Sequence, residues 1–177
     1  MLENQAEMTA EDVLKVIQLL NQNGIEIIID GGWAVDAVLG EQTRPHEDLD
    51  LAVFHEDVPK IRSLFEALGY QEVPRDDSWE CNFVLGDNQG HLIDFHSCTF
   101  DGEGNNIFGV KYPLESLQGS GIIGDLPVRC IPPDILVKFH SGYELDENDY
   151  QDVKLLCEKF GLQIPEEFEE FVRNDQT

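Results

Sequence analysis

The sequence predicts one α/β domain that ends in a run of helices, and three observations carry that reading. Short strand-like runs at residues 25–29, 48–53, 91–96 and 128–131, the first of them β-branched, alternate with amphipathic stretches of helical length. At 177 residues the chain is the size of one domain, with no internal repeat or low-complexity linker. Its apolar fraction, 41%, is close to that of globular chains and far above that of disordered ones.

Each element has a local cause. Thr9-Ala10-Glu11-Asp12 opens a helix, because a hydroxyl can cap the free N–H groups and acids in the first turn complement the helix dipole. Leu14, Val16, Ile17, Leu19 and Leu20 give this helix an apolar face, and Asn23-Gly24 ends it. Residues 25–29 then form a buried strand that stops at Asp30-Gly31-Gly32. A short helix over residues 33–39 closes at Gly40. A second strand follows at residues 48–53, and an amphipathic helix at 58–68 ends at Gly69. Residues 81–85 and 91–96 read as a hairpin joined by Gly86-Asp87-Asn88-Gln89-Gly90. Residues 100–124, rich in Gly and turn formers, read as loops with short strands. Residues 128–131 form the last strand. Pro132-Pro133-Asp134 starts a helix with proline in the permitted first turn, and helices at about 147–160 and after Pro165 finish the chain. The expected division is a catalytic α/β core over about residues 10–131 and C-terminal helices over about 132–174, in one domain.

Charge narrows the partners. Thirty-six acidic residues against eleven Lys and Arg give a formal −25, which repels phosphate backbones and argues against a nucleic-acid partner. Gathered around a cleft, the acids would attract cationic small molecules; spread out, they would only solvate the surface. Cys81, Cys98, Cys130 and Cys157 are widely spaced with no C-x-x-C pair, as expected of free, mostly buried thiols in a reducing cytosol. The stretch Met1–Glu7 lacks the basic-then-apolar pattern of a signal peptide, and runs such as Ile27-Ile28-Ile29 are far too short to span a membrane. A cytoplasmic protein with no membrane partner is expected.

The chemistry concentrates in carboxylates. Residues i and i+2 of a strand face the same way, so Asp48 and Asp50 project together while Leu49 turns into the core. Their Cβ atoms would lie roughly 6–7 Å apart and the charges would repel unless a cation sat between them. Oxygen-only ligands suit Mg²⁺. Asp94 and His96 share a face in the same way, and three carboxylates converge if the two strands are neighbours. That layout serves phosphoryl or nucleotidyl transfer with metal ions, Asp94 accepting a proton. A lone D-x-D is usually a solvated strand end. Here it follows a strand, the Gly31-Gly32 turn and a helix, where backbone N–H groups can face a phosphate, and that order is far more specific.

Gly31-Gly32-Trp33-Ala34-Val35-Asp36, Gly40, and Thr43-Arg44-Pro45-His46-Glu47-Asp48-Leu49-Asp50-Leu51 together resemble the signature of the antibiotic nucleotidyltransferases. These are the aminoglycoside 2″-adenylyltransferases and the small lincosamide nucleotidyltransferases. Leu92-Ile93-Asp94-Phe95-His96 resembles the lincosamide branch, as do residues 139–145 and 149–154. The acceptor-facing segments around 75–80 and 100–120 do not single out a substrate.

The resemblance implies the nucleotidyltransferase fold, a mixed sheet flanked by helices with a helical C-terminal segment. It implies transfer of AMP from Mg·ATP to a hydroxyl of a small cationic molecule, with release of pyrophosphate. Gly31 and Gly32 would meet the triphosphate, Asp48 and Asp50 would bind Mg²⁺, and Asp94 would be the third carboxylate, as ligand, general base or both. Arg44 and Lys138 are candidates for offsetting phosphate charge, or are ordinary surface charges. His96 would assist proton transfer or fix a carboxylate. His46 is read as shaping the strand entry, and Trp33 as core packing. Asp149 and Asp152 are read as capping and orienting a helix, with His140 and Tyr143 within reach of the cleft. A homodimer is compatible with this reading. Two other readings stay open: protein AMPylation, as in toxin–antitoxin nucleotidyltransferases, and a nucleotide-binding pseudoenzyme.

Overall fold

The computed structural model describes residues 5–177, so the first four residues of the Met1–Glu7 stretch lie outside it. Helix α1 (Ala10–Gln22) opens on a capping box in which the Thr9 hydroxyl accepts the Asp12 N–H and the Asp12 carboxylate accepts the Thr9 N–H. Two orphan donors are thereby satisfied at the start of the helix. Its apolar face, Val13, Val16, Ile17 and Leu20, is buried.

The chain then lays down β1 (Ile27–Asp30), α2 (Gly31–Leu39), β2 (Asp48–Phe54), α3 (Val58–Ala67), β3 (Gln71–Val73), β4 (Asn82–Gly86) and β5 (Leu92–Phe100). After these come β6 (Asn106–Gly109), β7 (Gly119–Ile123), β8 (Leu126–Cys130), α4 (Pro133–Phe139), α5 (Glu147–Phe160) and α6 (Glu169–Asp175). The strands form one mixed sheet in the order β3-β4-β5-β2-β1-β8-β7, with β6 paired to β5. β2 runs parallel to β5 and antiparallel to β1, and β1 runs parallel to β8.

Alternation in β2 buries Leu49, Leu51 and Val53 and leaves Asp48 and Asp50 partly accessible. Under the sheet, Phe95 of β5 stacks on Phe83 at 5.4 Å and meets Phe65 of α3 edge-on at 5.6 Å. Truncating such a buried ring typically costs about 3–5 kcal/mol, so this contact anchors the strand that carries Asp94. Trp33 is buried on α2 and its Nε1–H donates to the Met8 carbonyl, a core role.

Three local readings shift. Helix α2 begins at Gly31 rather than Trp33, because the Asp30 carboxylate accepts the Gly31 N–H and caps it. β5 continues to Phe100, where β6 pairs with it. The three-residue β3 has no alternation to betray it, since Gln71 and Glu72 are both exposed. All four cysteines are buried thiols. Among the described residues, no helix is long and apolar enough to cross a membrane.

Candidate active site

The glycine turn and the aspartate strand meet at the end of β1. Gly31 has φ +60°, a left-handed conformation natural to glycine, and a Cβ there would stand 2.1 Å from Asp50 Oδ2. A Cβ on Gly32 would stand 2.5 Å from His46 Nδ1 and 2.9 Å from Arg44 Nη2. Both glycines are therefore demanded by what lies against them.

Register assembles the carboxylates. Asp50 pairs with Asp94 across the β2–β5 ladder and with Asp30 across the β1–β2 ladder, so one row crosses three neighbouring strands. Ligand atoms of Asp50, Asp94 and His96 all lie within 4.8 Å of one another. Asp48, two residues upstream on the same face, sits opposite Leu92 and is not in that tight group, although it lines the same cleft. The gathered set therefore includes His96, whereas the ligand set expected from the sequence has Asp48 in its place.

The electrostatics are those of an anion cluster. Burial, followed by repulsion from Asp48, Asp94 and Asp30, pushes the Asp50 carboxyl well above the usual range. Burial also raises Asp94, against a lowering by His96, and burial and Glu47 raise Asp48. Asp94 Oδ1 lies 3.3 Å from His96 Nε2, out of line for a hydrogen bond, and is buried without a partner among the described residues. A buried, unpaired carboxylate oxygen beside a second carboxylate and an imidazole is the donor set a divalent cation satisfies. The residues present fit a metal.

Asp30 was not singled out in the sequence, where it reads as the end of a strand. Both its oxygens are engaged: Oδ1 accepts the Gly31 N–H at 2.7 Å and Oδ2 accepts the buried Tyr112 hydroxyl at 2.7 Å. It adds negative charge to the row while holding the glycine turn in place.

A cleft of ≈ 740 Å³ opens over this row. Among the described residues, seven carboxyl side chains line it (Glu7, Asp30, Glu47, Asp48, Asp50, Asp146 and Asp149), against Arg44 and the imidazoles of His46, His96 and His140. The acids do gather around a cleft. Lys138 does not join them: it lies exposed on α4, and its carbonyl accepts the Ser141 hydroxyl.

The remaining candidates separate clearly. His46 is buried; its Nε2 lies 2.5 Å from the Asp36 carboxylate and its ring packs on Trp33. Asp36 also accepts the N–H and hydroxyl of Thr43, so this trio shapes the loop entering β2. Asp149 completes the α5 capping box with Asp146 and accepts the Tyr143 hydroxyl at 2.8 Å. Asp152 does not cap. It is buried within α5 and accepts Arg44 through two hydrogen bonds, 3.1 and 2.8 Å long. Helical spacing alone placed Asp152 beside Asp149; the partner lies 108 residues away in sequence, beyond any local signal.

Comparison with known proteins shows the family. The family model described as aminoglycoside-2″-adenylyltransferase matches residues 12–156. A lincosamide resistance protein of Staphylococcus haemolyticus is 28% identical, covering 84% of this chain and 94% of its own length. A 2″-aminoglycoside nucleotidyltransferase of Escherichia coli is 30% identical, covering 84% and 86% respectively. Among solved structures, lincomycin-bound LnuA, a lincosamide antibiotic adenylyltransferase, superposes with a TM-score of 0.73 at 23% identity, covering 85% of this chain and 98% of LnuA. ANT(2″)-Ia in complex with adenylyl-2″-tobramycin gives 0.70 at 22% identity, covering 86% and 89%. The family model spans most of the sequence, the stretches that carry the glycine turn and the aspartate row included, and the chain belongs to the aminoglycoside-2″-adenylyltransferase family of nucleotidyltransferases.

Proposed function

We propose that the chain transfers AMP from Mg·ATP to a hydroxyl of a small cationic antibiotic of the lincosamide or aminoglycoside type. The observation that carries this reading is the Asp50–Asp94 pair beside the Gly31–Gly32 turn, set in a cleft walled by carboxylates. Family membership supplies the reaction class.

Asp48, Asp50 and Asp94 would hold Mg²⁺, with His96 beside them, and the ion would offset the charge of the triphosphate and of the clustered carboxylates. The residues of the chain do the rest. With the Gly31 N–H held by Asp30, the Gly32 N–H at the start of α2 meets the phosphates, and the absence of side chains at both glycines leaves room for their approach. Asp94, with its raised proton affinity, takes the proton of the acceptor hydroxyl. The acceptor oxygen bonds to the α-phosphorus as the bond to the bridging oxygen breaks, and pyrophosphate leaves with that electron pair. Glu47, Asp146 and Asp149 on the cleft wall attract the cationic acceptor.

Incubation with ATP, Mg²⁺ and lincomycin or tobramycin, read by pyrophosphate release and by a mass gain of one AMP on the drug, tests the reading. Both signals should vanish in Asp50→Asn. Release that survives this substitution, or no product with either drug class, would overturn it.

A further inference from the structure

We propose that Asp152 is a positioning residue for the nucleotide: its buried carboxylate holds the Arg44 guanidinium over the Gly31–Gly32 turn, with the His140 imidazole set against the same carboxylate. The proposal rests on the reading that a triphosphate binds at that turn.

Asp152 is 1% exposed and belongs to α5, far in sequence from the loop that carries Arg44. Its Oδ1 accepts Arg44 Nε at 3.1 Å, and its Oδ2 accepts Nη2 at 2.8 Å. His140 Nε2, from the end of α4, stands 3.6 Å from the same Oδ2. His140 Nδ1 lies 2.7 Å from the Leu136 carbonyl, so Nδ1 is the donor there and Nε2 is the nitrogen that Asp152 addresses. One carboxylate thus faces a guanidinium and an imidazole, and both of those groups line the cleft.

The hydrogen-bond inventory shows what is left over. A guanidinium has five N–H donors. Three of Arg44's are committed, to Asp152 twice and to the Pro45 carbonyl at 3.3 Å, leaving one on Nη1 and one on Nη2. Nη2 is among the atoms that a Cβ on Gly32 would strike, at 2.9 Å behind the His46 ring, so the guanidinium lies over the glycine turn with donors to spare. That suits a phosphate oxygen.

The need for the arrangement comes from charge. Arg44 is the one Lys or Arg side chain among the described residues lining this cleft, and it faces a wall of acids. Its field reaches both Asp48 and Asp50. An untethered arginine would be drawn onto those carboxylates and would occupy the place of the metal. A two-point tether to Asp152 keeps it at the glycine turn, and a planar fork on a carboxylate is well suited to that.

The groups facing His140 set its charge. Burial alone would lower its proton affinity, but the Asp152 carboxylate and the Leu136 carbonyl raise it, with Asp149 adding to the effect. Arg44 shares the Asp152 carboxylate, and Asp146 and Tyr143 stand in the same wall of the cleft.

The experiment measures the dissociation constant of a nonhydrolysable ATP analogue with Mg²⁺ by calorimetry between about pH 5.5 and 9. It is run on the unsubstituted chain, Asp152→Asn, Asp152→Glu and His140→Gln, with KM for each substrate and kcat measured wherever turnover occurs. Asp152→Asn should weaken the analogue about tenfold or more and raise KM for ATP, while KM for the acceptor stays within about threefold. Its alkaline loss of affinity should begin at lower pH, Asp152→Glu should recover most of the affinity, and His140→Gln should abolish the pH limb. A fold defect in Asp152→Asn would leave His140→Gln to decide. Equal losses toward both substrates, or an alkaline limb unmoved in Asp152→Asn and still present in His140→Gln, would overturn the proposal. So would an unsubstituted chain that does not bind the analogue. Analogue binding without product on any drug would instead count against the transfer reading alone.

Discussion

Asp50 of β2 stands directly opposite Asp94 of β5 in a parallel ladder, with Asp30 completing the row on the other side. Three carboxylates at one level of a sheet repel one another, and the burial of Asp50 and Asp94 makes the repulsion stronger than it would be in water.

Removing one charge should therefore stabilise the metal-free protein while destroying its activity. Asp50→Asn is expected to raise the thermal midpoint in chelator and to cut kcat by at least about 100-fold. Mg²⁺ should raise the midpoint of the unsubstituted chain, as a ligand selective for the folded state does, and should leave the variant unmoved. Scanning fluorimetry with and without Mg²⁺ reads all three. A variant that melts lower in chelator contradicts the account.

The same row sets a pH dependence. Asp48, Asp50 and Asp94 have folded-state proton affinities raised above the unfolded value of 3.8. Between that value and each raised one, the folded protein binds more protons than the unfolded chain, so stability falls as pH rises through the window. Asp152 and Asp87, held low by their His and Arg partners, work in the opposite sense and only at more acid pH. Urea midpoints taken upward from about pH 4 should decline in chelator and decline less in Mg²⁺. A chelator series that stays flat above pH 4 rules this out.

Gly31→Ala combines two penalties. A left-handed backbone costs a non-glycine residue about 1–2 kcal/mol, and the new methyl group would collide with Asp50 Oδ2. Loss of transfer by about 100-fold or more is expected, together with a lower thermal midpoint. Gly32→Ala should also impair activity by displacing His46 and Arg44. Wild-type activity in Gly31→Ala would mean that the turn does not position Asp50.

Tyr112→Phe deletes only the hydroxyl that donates to Asp30 at 2.7 Å. An acceptor with charge left short of a donor costs about 1–3 kcal/mol, so chemical denaturation should show a loss of that size. kcat should fall less than in Asp94→Asn, for which removal of the proposed general base predicts about 10²–10⁴-fold. Equal kcat losses in the two variants would give Tyr112 a direct part in the chemistry.

Much of this was legible in the residues. The Thr9–Asp12 cap, the alternation that exposes Asp48 and Asp50, and the strand–glycine–helix order are all local patterns, decided within a few residues of one another. What the chain could not announce is which strands become neighbours. Asp94 joins Asp50 only because β2 and β5 pair in parallel with no residue of slip, and a shift of one would have sent Asp94 into the core. Asp30 became a member of the row for the same reason. Arg44 and Asp152 are further apart still, joined by the packing of α5 against the loop before β2. Lys138 and Arg44 were equal candidates as sequence, but the turn of α4 left one in solvent while a buried carboxylate drew the other into the cleft. Periodicity decides which way a side chain faces along its own element. Only the tertiary fold decides what stands opposite, because that depends on contacts between segments with no sequence proximity to record them.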